Sequence, residues 1–558
     1  MPNPVLCALV AFALCSALIC VPSANASKSQ ESMFQDDIRL VYGDEDGVKA
    51  TLDTLATLGV DRIRVSVFWI LVAPDARSQQ RPTFNATDPA GYPPANWARY
   101  DRLIREAGKR GIAINLNVTG PAPLWATGTP DREDLAATWE PEPDAFRDFV
   151  KALGLRYNGS YKPPVEAPPG PPPARDGGLL GLGGSSARDV QAAQSGGSGD
   201  ALPRVSFWSA WNEPNHPGWL TPQWVRSDGQ QLERSPSNYR KLLGAFTEGL
   251  ATSSHGRDTQ LIGELAPSGS RTKGSTGGMR PLRFLRTLYC LDARYRPLRG
   301  TSATLRGCPA SGSSATFRDQ NPGLFRFSGF AHHPYALLSP PSDRSINKEN
   351  VAMADLPRLH AALGRSLRAY GVRRKPGVWV TEYGFQTDPP DPNGVSEARQ
   401  SSWLNEAEYM SWRDPRIRSH SQFLLTDDLP KAGLQPDDSG YWGTFQTGLV
   451  RLNGTNKPSF DAYRLPIHIP QPIVRRGQSV RVWGQVRPAA AGTAPQVRIQ
   501  QLRGSSWQTL KTLRASSGRG FINATVRPSA SGRLRLAWQP EGGSEVHSRS
   551  VGVRLRGR

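Results

Sequence analysis

Between about residue 36 and residue 464, short apolar β-rich runs alternate with amphipathic helical stretches, and no other feature narrows the fold as far. Strands are predicted at about 38–41, 63–69, 112–118, 205–211, 260–265, 327–331, 378–381 and 422–425, eight in all. Between them lie helical faces such as Val48, Leu52, Leu55 and Leu58, then Trp97, Tyr100, Ile104 and Ala107. A further helix, capped by Ser237, carries Tyr239, Leu243, Phe246 and Leu250. Gly111 is placed to stop the second of these before the third strand. Alternation of this kind implies a parallel sheet covered by helices. Eight units, with no dinucleotide fingerprint after the first strand, favour a (β/α)8 barrel over a doubly wound sheet.

The rest of the chain divides around this block. Residues 1–26 combine an apolar run with the small-residue pattern Ala24-Asn25-Ala26 and are expected to be an export signal, leaving a secreted chain. No later run approaches the roughly 20 apolar residues needed to span a bilayer. Residues 159–202, rich in Pro, Gly and Ser, are expected to be a low-complexity insertion in a helix-to-strand connection, on the barrel face away from chemistry. Residues 27–464 therefore form the barrel with its insertion. From 465 to 558 the period changes to two, with Val480/Val482, Val497/Ile499, Leu534/Leu536 and Val551/Val553/Leu555 alternating with polar residues. A small antiparallel β-sandwich is expected there.

Three of the five cysteines lie in the signal region, leaving Cys290 and Cys308 to pair as a structural disulfide in an oxidising compartment. No Cys/His cluster has zinc spacing and no glycine-rich loop could cradle a phosphate, so neither metal nor cofactor is expected. The net charge is +20, and residues 465–558 hold sixteen Lys/Arg against Glu541 and Glu545 alone, about +14. That balance draws polyanions, in an exported protein an anionic envelope polymer or an acidic polysaccharide, and not nucleic acid. A basic surface serving only solubility reads the same way. Carbohydrate binding, envelope anchoring and bracing of the barrel all stay open for this module.

Two carboxylates stand out because each appears where a buried strand ends. Phe207-Trp208-Ser209-Ala210-Trp211 runs into Asn212-Glu213-Pro214, where Pro214 removes a ladder donor. Val378-Trp379-Val380-Thr381 ends on Glu382, and Gly384 lets the chain turn away. Both would project at the C-terminal mouth of the barrel. Glycoside hydrolysis needs such a pair, one carboxyl protonated to donate to the leaving oxygen and the other ionised. Apolar and aromatic surroundings are expected to keep the first neutral, and Arg and Tyr donors to keep the second charged.

Trp211-Asn212-Glu213-Pro214 together with Thr381-Glu382-Tyr383-Gly384 resembles clan A glycoside hydrolases, nearest to the style of families 39 and 5. The resemblance spans about residues 36–464. It implies a retaining (β/α)8 enzyme acting on β-linked glycosides of an extracellular oligo- or polysaccharide, with Glu213 as general acid/base and Glu382 as nucleophile. It further implies that Asn212 meets the sugar 2-hydroxyl, that Arg64 supports the nucleophile's charge, that Tyr335 donates to Glu382 and that His333 lines the sugar site. For retention the two carboxyl groups should lie about 5–5.5 Å apart. Trp69, Trp125, Trp219 and Trp442 are candidates for a sugar platform, and barrel packing is the alternative for each. A binding protein on a glycosidase scaffold, or a transglycosylase using the same intermediate, would share this pattern.

Overall fold

The structure is a computed structural model that describes residues 26–164, 199–438, 440–489 and 492–557. Residues 1–25, where the export signal is expected, and 165–198, the bulk of the expected insertion, lie outside the described residues. Among the described residues no helix is long and apolar enough to cross a membrane.

Eight parallel strands close into a barrel: β1 (Glu31–Gln35), β2 (Arg62–Phe68), β3 (Ala113–Thr119), β4 (Phe207–Ala210), β5 (Thr259–Leu265), β6 (Gly329–His332), β7 (Gly377–Val380) and β8 (Ile417–Phe423). Each pairs with its neighbours in chain order, and β8 closes on β1 through the register Glu31↔Ser419 to Gln35↔Phe423. Helices α1 (Glu45–Thr57), α2 (Pro94–Lys109), α3 (Pro143–Arg156), α4 (Ser235–Ala251), α5 (Pro281–Leu288), α6 (Leu356–Ala369) and α7 (Glu397–Arg413) cover it, and α8 (Pro458–Arg464) ends the block. The chain is a (β/α)8 barrel.

The predicted helix faces are buried: Val48, Leu52, Leu55 and Leu58 are inaccessible, as are Tyr239, Phe246 and Leu250. Gly111 adopts φ +68 just after α2, and a Cβ there would meet no neighbouring atom, so backbone conformation and not space asks for glycine. Ser237 is not the cap of α4, which begins two residues earlier, at Ser235, with Pro236 in its first turn.

Two strands lie elsewhere than predicted. Residues 37–40 are a helical turn capped by Asp36, whose side chain accepts from the Arg39 backbone N–H, and the first strand precedes it. The eighth strand starts at Ile417, not at 422, and its apolar signal is weak because the inward positions Ser419 and Ser421 are polar and buried. Residues at the two ends of the expected insertion run side by side, with Gly199 N–H bonded to Pro163 O and Leu202 N–H to Tyr161 O. They join α3 to β4 on the side opposite the strand C-termini. Cys290 and Cys308 form the expected disulfide in the connection from α5 to β6.

Beyond α8 the chain forms a β-sandwich. One sheet has three strands, Ile467–His468, Val480–Gln485 and Phe521–Val526. The other runs Ile473–Arg475, Val551–Arg556, Gly532–Trp538, Gln496–Arg503, Ser506–Arg514, with Val546–His547 pairing to Gly532–Trp538. All pairings are antiparallel except Ile473–Arg475 with Val551–Arg556. The alternating apolar residues fill the space between the sheets, Leu465 being the first of the chain to enter that core. Outward-facing Trp483 and Phe521 of the smaller sheet pack on Tyr409 and Trp412 of α7. Arg487 pairs with Glu408, Arg519 with Asp61, and Arg549 donates to Asn405, tying the sandwich to the barrel.

Candidate active site

Glu213 and Glu382 leave β4 and β7 at the same end of the barrel and meet over its axis. One carboxylate oxygen of each, with a ring nitrogen of His333, lie within 4.8 Å of one another. Glu213 is partly exposed and Glu382 is buried, with 16% and 9% of their side chains accessible. The approach to this point is strained: Trp211 has φ 62 and Glu213 φ 37, left-handed values that cost a side-chain-bearing residue about 1–3 kcal/mol each. Asn215 holds the turn in place, donating to Ala266 O and Met279 O and accepting from Ala266 N–H.

Arg64, inaccessible to solvent on β2, organises the floor. Its Nη1 donates to Glu382 Oε1 at 2.7 Å and to Gln35 Oε1 at 2.5 Å; its Nη2 donates to Asn212 Oδ1 at 2.6 Å. With its oxygen taken, Asn212 turns its amide nitrogen to any ligand. Tyr335 donates to the other carboxylate oxygen, Glu382 Oε2, at 3.1 Å. His333 Nδ1 stands 2.9 Å from Glu213 Oε1 and 3.5 Å from Glu382 Oε2. Arg64, Asn212, His333 and Tyr335 are thus all brought to the carboxylate pair.

A third carboxylate, absent from the sequence reading, completes the cluster. Glu264 on β5 is fully buried and accepts from Arg64 Nη2 at 3.2 Å, from Thr381 Oγ1 at 2.6 Å and from His333 Nε2 at 2.8 Å. It sits in a β-bulge: Gly263 pairs with Ala331 and Leu265 with His332, leaving Glu264 as the extra residue at φ 48. A Cβ on Gly263 would lie 2.6 Å from the Phe330 ring, so only glycine lets the strand pass there. The bulge re-aims a side chain in an otherwise apolar run into the barrel. A carboxylate at the end of a buried strand was the signal that found Glu213 and Glu382, and Ile262-Gly263-Glu264-Leu265 carries it too.

The charges differ from the sequence expectation of a neutral acid beside an ionised nucleophile. Burial alone would lower His333, but Glu382, Glu213 and Glu264 outweigh it and raise its pKa to about 9, so the ring is an imidazolium at neutral pH. Burial would likewise raise Glu264, yet Arg64, His333 and Thr381 hold it down at about 2. The imidazolium overcomes the burial of Glu213 and keeps its carboxyl below the usual range. Burial pushes Glu382 upward against the pull of His333 and Arg64. The proton next to Glu213 therefore rests on His333, one hydrogen bond away.

The tryptophans divide. Trp69 is not at the site: it is fully buried in the helical turn after β2, stacked on Phe149 and edge-on to Trp125, and it packs the barrel against α3. Trp219 is also buried, stacked on Phe68. Trp125 and Trp442 are half-exposed in the loops after β3 and β8. Trp125 donates to Pro74 O beneath Arg81, and Trp442 stands edge-on to Tyr441; among the described residues neither has a ring contact or hydrogen bond to the carboxylates. Asp427 is paired with buried Lys457 and accepts from Gly448 N–H, bracing the loop that follows β8.

No family model matches the chain, and no curated protein matches it. Among solved structures it is similar to a GH5_18 protein from Streptomyces cattleya in complex with GlcNAc, at 13% identity over 81% of this chain and 85% of that one, with a TM-score of 0.41. A β-glucosidase from Exiguobacterium marinum aligns at 13% identity over 78% and 97%, TM-score 0.42. A family 51 α-L-arabinofuranosidase from Bifidobacterium longum aligns at 11% over 91% and 96%, TM-score 0.39. At these values the assignment of the fold rests on the strand order itself, and that of the site on its geometry.

Proposed function

We propose that this chain is a secreted retaining glycoside hydrolase that cleaves β-linked glycosides of an extracellular oligo- or polysaccharide by double displacement. The observation that carries the reading is the carboxylate pair at the C-terminal mouth, with oxygens within 4.8 Å. An approach that close between one oxygen of each carboxylate supports the retaining arrangement of about 5–5.5 Å over the inverting one of about 6.5–9.5 Å. Glu382, held between Arg64 and Tyr335, attacks the anomeric carbon. His333 first gives its proton to Glu213 across the 2.9 Å bond, and Glu213 passes it to the departing oxygen. Glu213, ionised again, then takes a proton from the water that releases the sugar from Glu382. Asn212 offers its amide to the 2-hydroxyl, where a hydrogen bond strengthens as the ring flattens.

A panel of aryl β-glycosides tests this. The wild type should turn over at least one, Glu382→Ala none, and Glu213→Ala should lose about 10²–10⁴-fold on poor leaving groups and less on activated ones. A wild type as inert as Glu382→Ala across the panel would favour a carbohydrate-binding role.

A further inference from the structure

The basic charge of the C-terminal module is sorted by face. Its smaller sheet turns Trp483 and Phe521 onto α7, and Arg487, Arg519 and Arg549 are engaged in fastening it there. The larger sheet buries Val497, Ile499, Leu534, Leu536 and Val553 inward, so the alternate residues must point away from the core. Those alternates are largely arginine. Arg533 and Arg535 stand on one strand, Arg554 and Arg556 on its neighbour, Arg475 opposite Arg556 and Arg498 opposite Ala537. Strands about 4.8 Å apart and alternate residues about 6.8 Å apart make this a flat array of guanidinium groups.

Their bonds stay within the module: Arg498 pairs with Glu545, Arg533 with the Ser550 hydroxyl, and Arg535 lies 4.1 Å over the Trp507 ring while donating to Gln500. Arg533, Arg554, Arg556 and Arg475 are exposed. Crowding of like charge is felt locally, since burial and then the charges of Arg535 and Arg498 push His547 below its ordinary pKa.

We propose that this outer face binds an acidic polysaccharide bearing carboxylate or sulfate groups and so holds the barrel on its substrate. Guanidinium forks match carboxylate and sulfate geometry, and an extended plane engages a long chain at many weak points. Among the described residues of the module Ile473 is the one exposed large apolar side chain, so the face presents little for entering a lipid headgroup layer. The choice of a polysaccharide among polyanions rests on the proposed glycosidase activity. Tethering raises the local concentration of glycosidic bonds at the mouth without any new contact there.

The test uses the full chain carrying Glu382→Ala, so that binding is read without turnover. In affinity gels it should be retarded by polygalacturonate and not by a neutral glucan, and the retardation should fade as salt shortens the screening length from about 10 Å at 0.1 M to about 3 Å at 1 M. Arg533→Glu with Arg554→Glu should weaken binding at least tenfold with the melting temperature unchanged, and so should the milder Arg554→Gln with Arg556→Gln. Arg373→Glu, an exposed reversal on the barrel, should bind like the parent. Equal migration in both gels, equal loss in Arg373→Glu, or tighter binding to a DNA duplex or to phosphatidylserine vesicles would each overturn the proposal. An inert wild type in the glycoside panel would leave the gel result standing, so the two failures are separable.

Discussion

His333 is the residue that links the carboxylates, contacting both Glu213 and Glu264. Its pKa is raised from 6.5 to about 9 on folding. Its proton therefore stabilises the fold fully below about pH 6.5, and that contribution is lost as pH rises through about 9. Activity should fall along an alkaline limb in the same range, checked by a kcat profile with histidine 15N shifts following the ring directly. Glu264→Gln removes one negative charge from the cluster, so its protons are held less firmly and the limb moves to lower pH. The same change should lower kcat by roughly tenfold to a hundredfold through misplacement of Glu213. An unmoved limb and unmoved His333 shifts would show Glu264 to be a packing residue only.

Among the elements, the helices were more legible than the strands. An amphipathic face such as Trp97, Tyr100, Ile104 and Ala107 repeats over several turns, and these four residues are buried. β1 and β8 escaped because barrel strands turn polar residues such as Gln35 and Ser419 into a buried interior, erasing the apolar signal. Glu213, Glu382, Arg64, Asn212, His333 and Tyr335 could be read from two strand-end motifs and their likeness to known enzymes. Glu264 carries the same signal of a carboxylate near the end of a buried strand, but its inward turn depends on a bulge defined by pairing with β6, which the sequence alone does not show. For Trp69, where the sequence left sugar platform and barrel packing open, the ring lies under α3 and packs the barrel. Trp69→Ala should accordingly cost about 3–5 kcal/mol of stability in denaturant melts while leaving KM nearly unchanged. Replacing both Cys290 and Cys308 by Ser opens a loop of separation 18 and should cost about 3 kcal/mol, again without touching KM.

At the scale of the whole molecule, the sandwich braces the barrel as well as presenting a charged face. Glu408 on α7 has its charge met by Arg487 from the sandwich, both nearly inaccessible. Arg487→Ala should lower stability by about 3–5 kcal/mol, because a buried carboxylate is left without its partner. The reaction itself is reached by trapping a glycosyl–enzyme intermediate. Treating the protein with 2-deoxy-2-fluoro glycosyl fluorides of several sugars, followed by peptide mass mapping, should find one sugar attached to Glu382. A sugar attached to any other residue, or turnover that inverts the anomeric centre without an adduct, would rule out double displacement through Glu382.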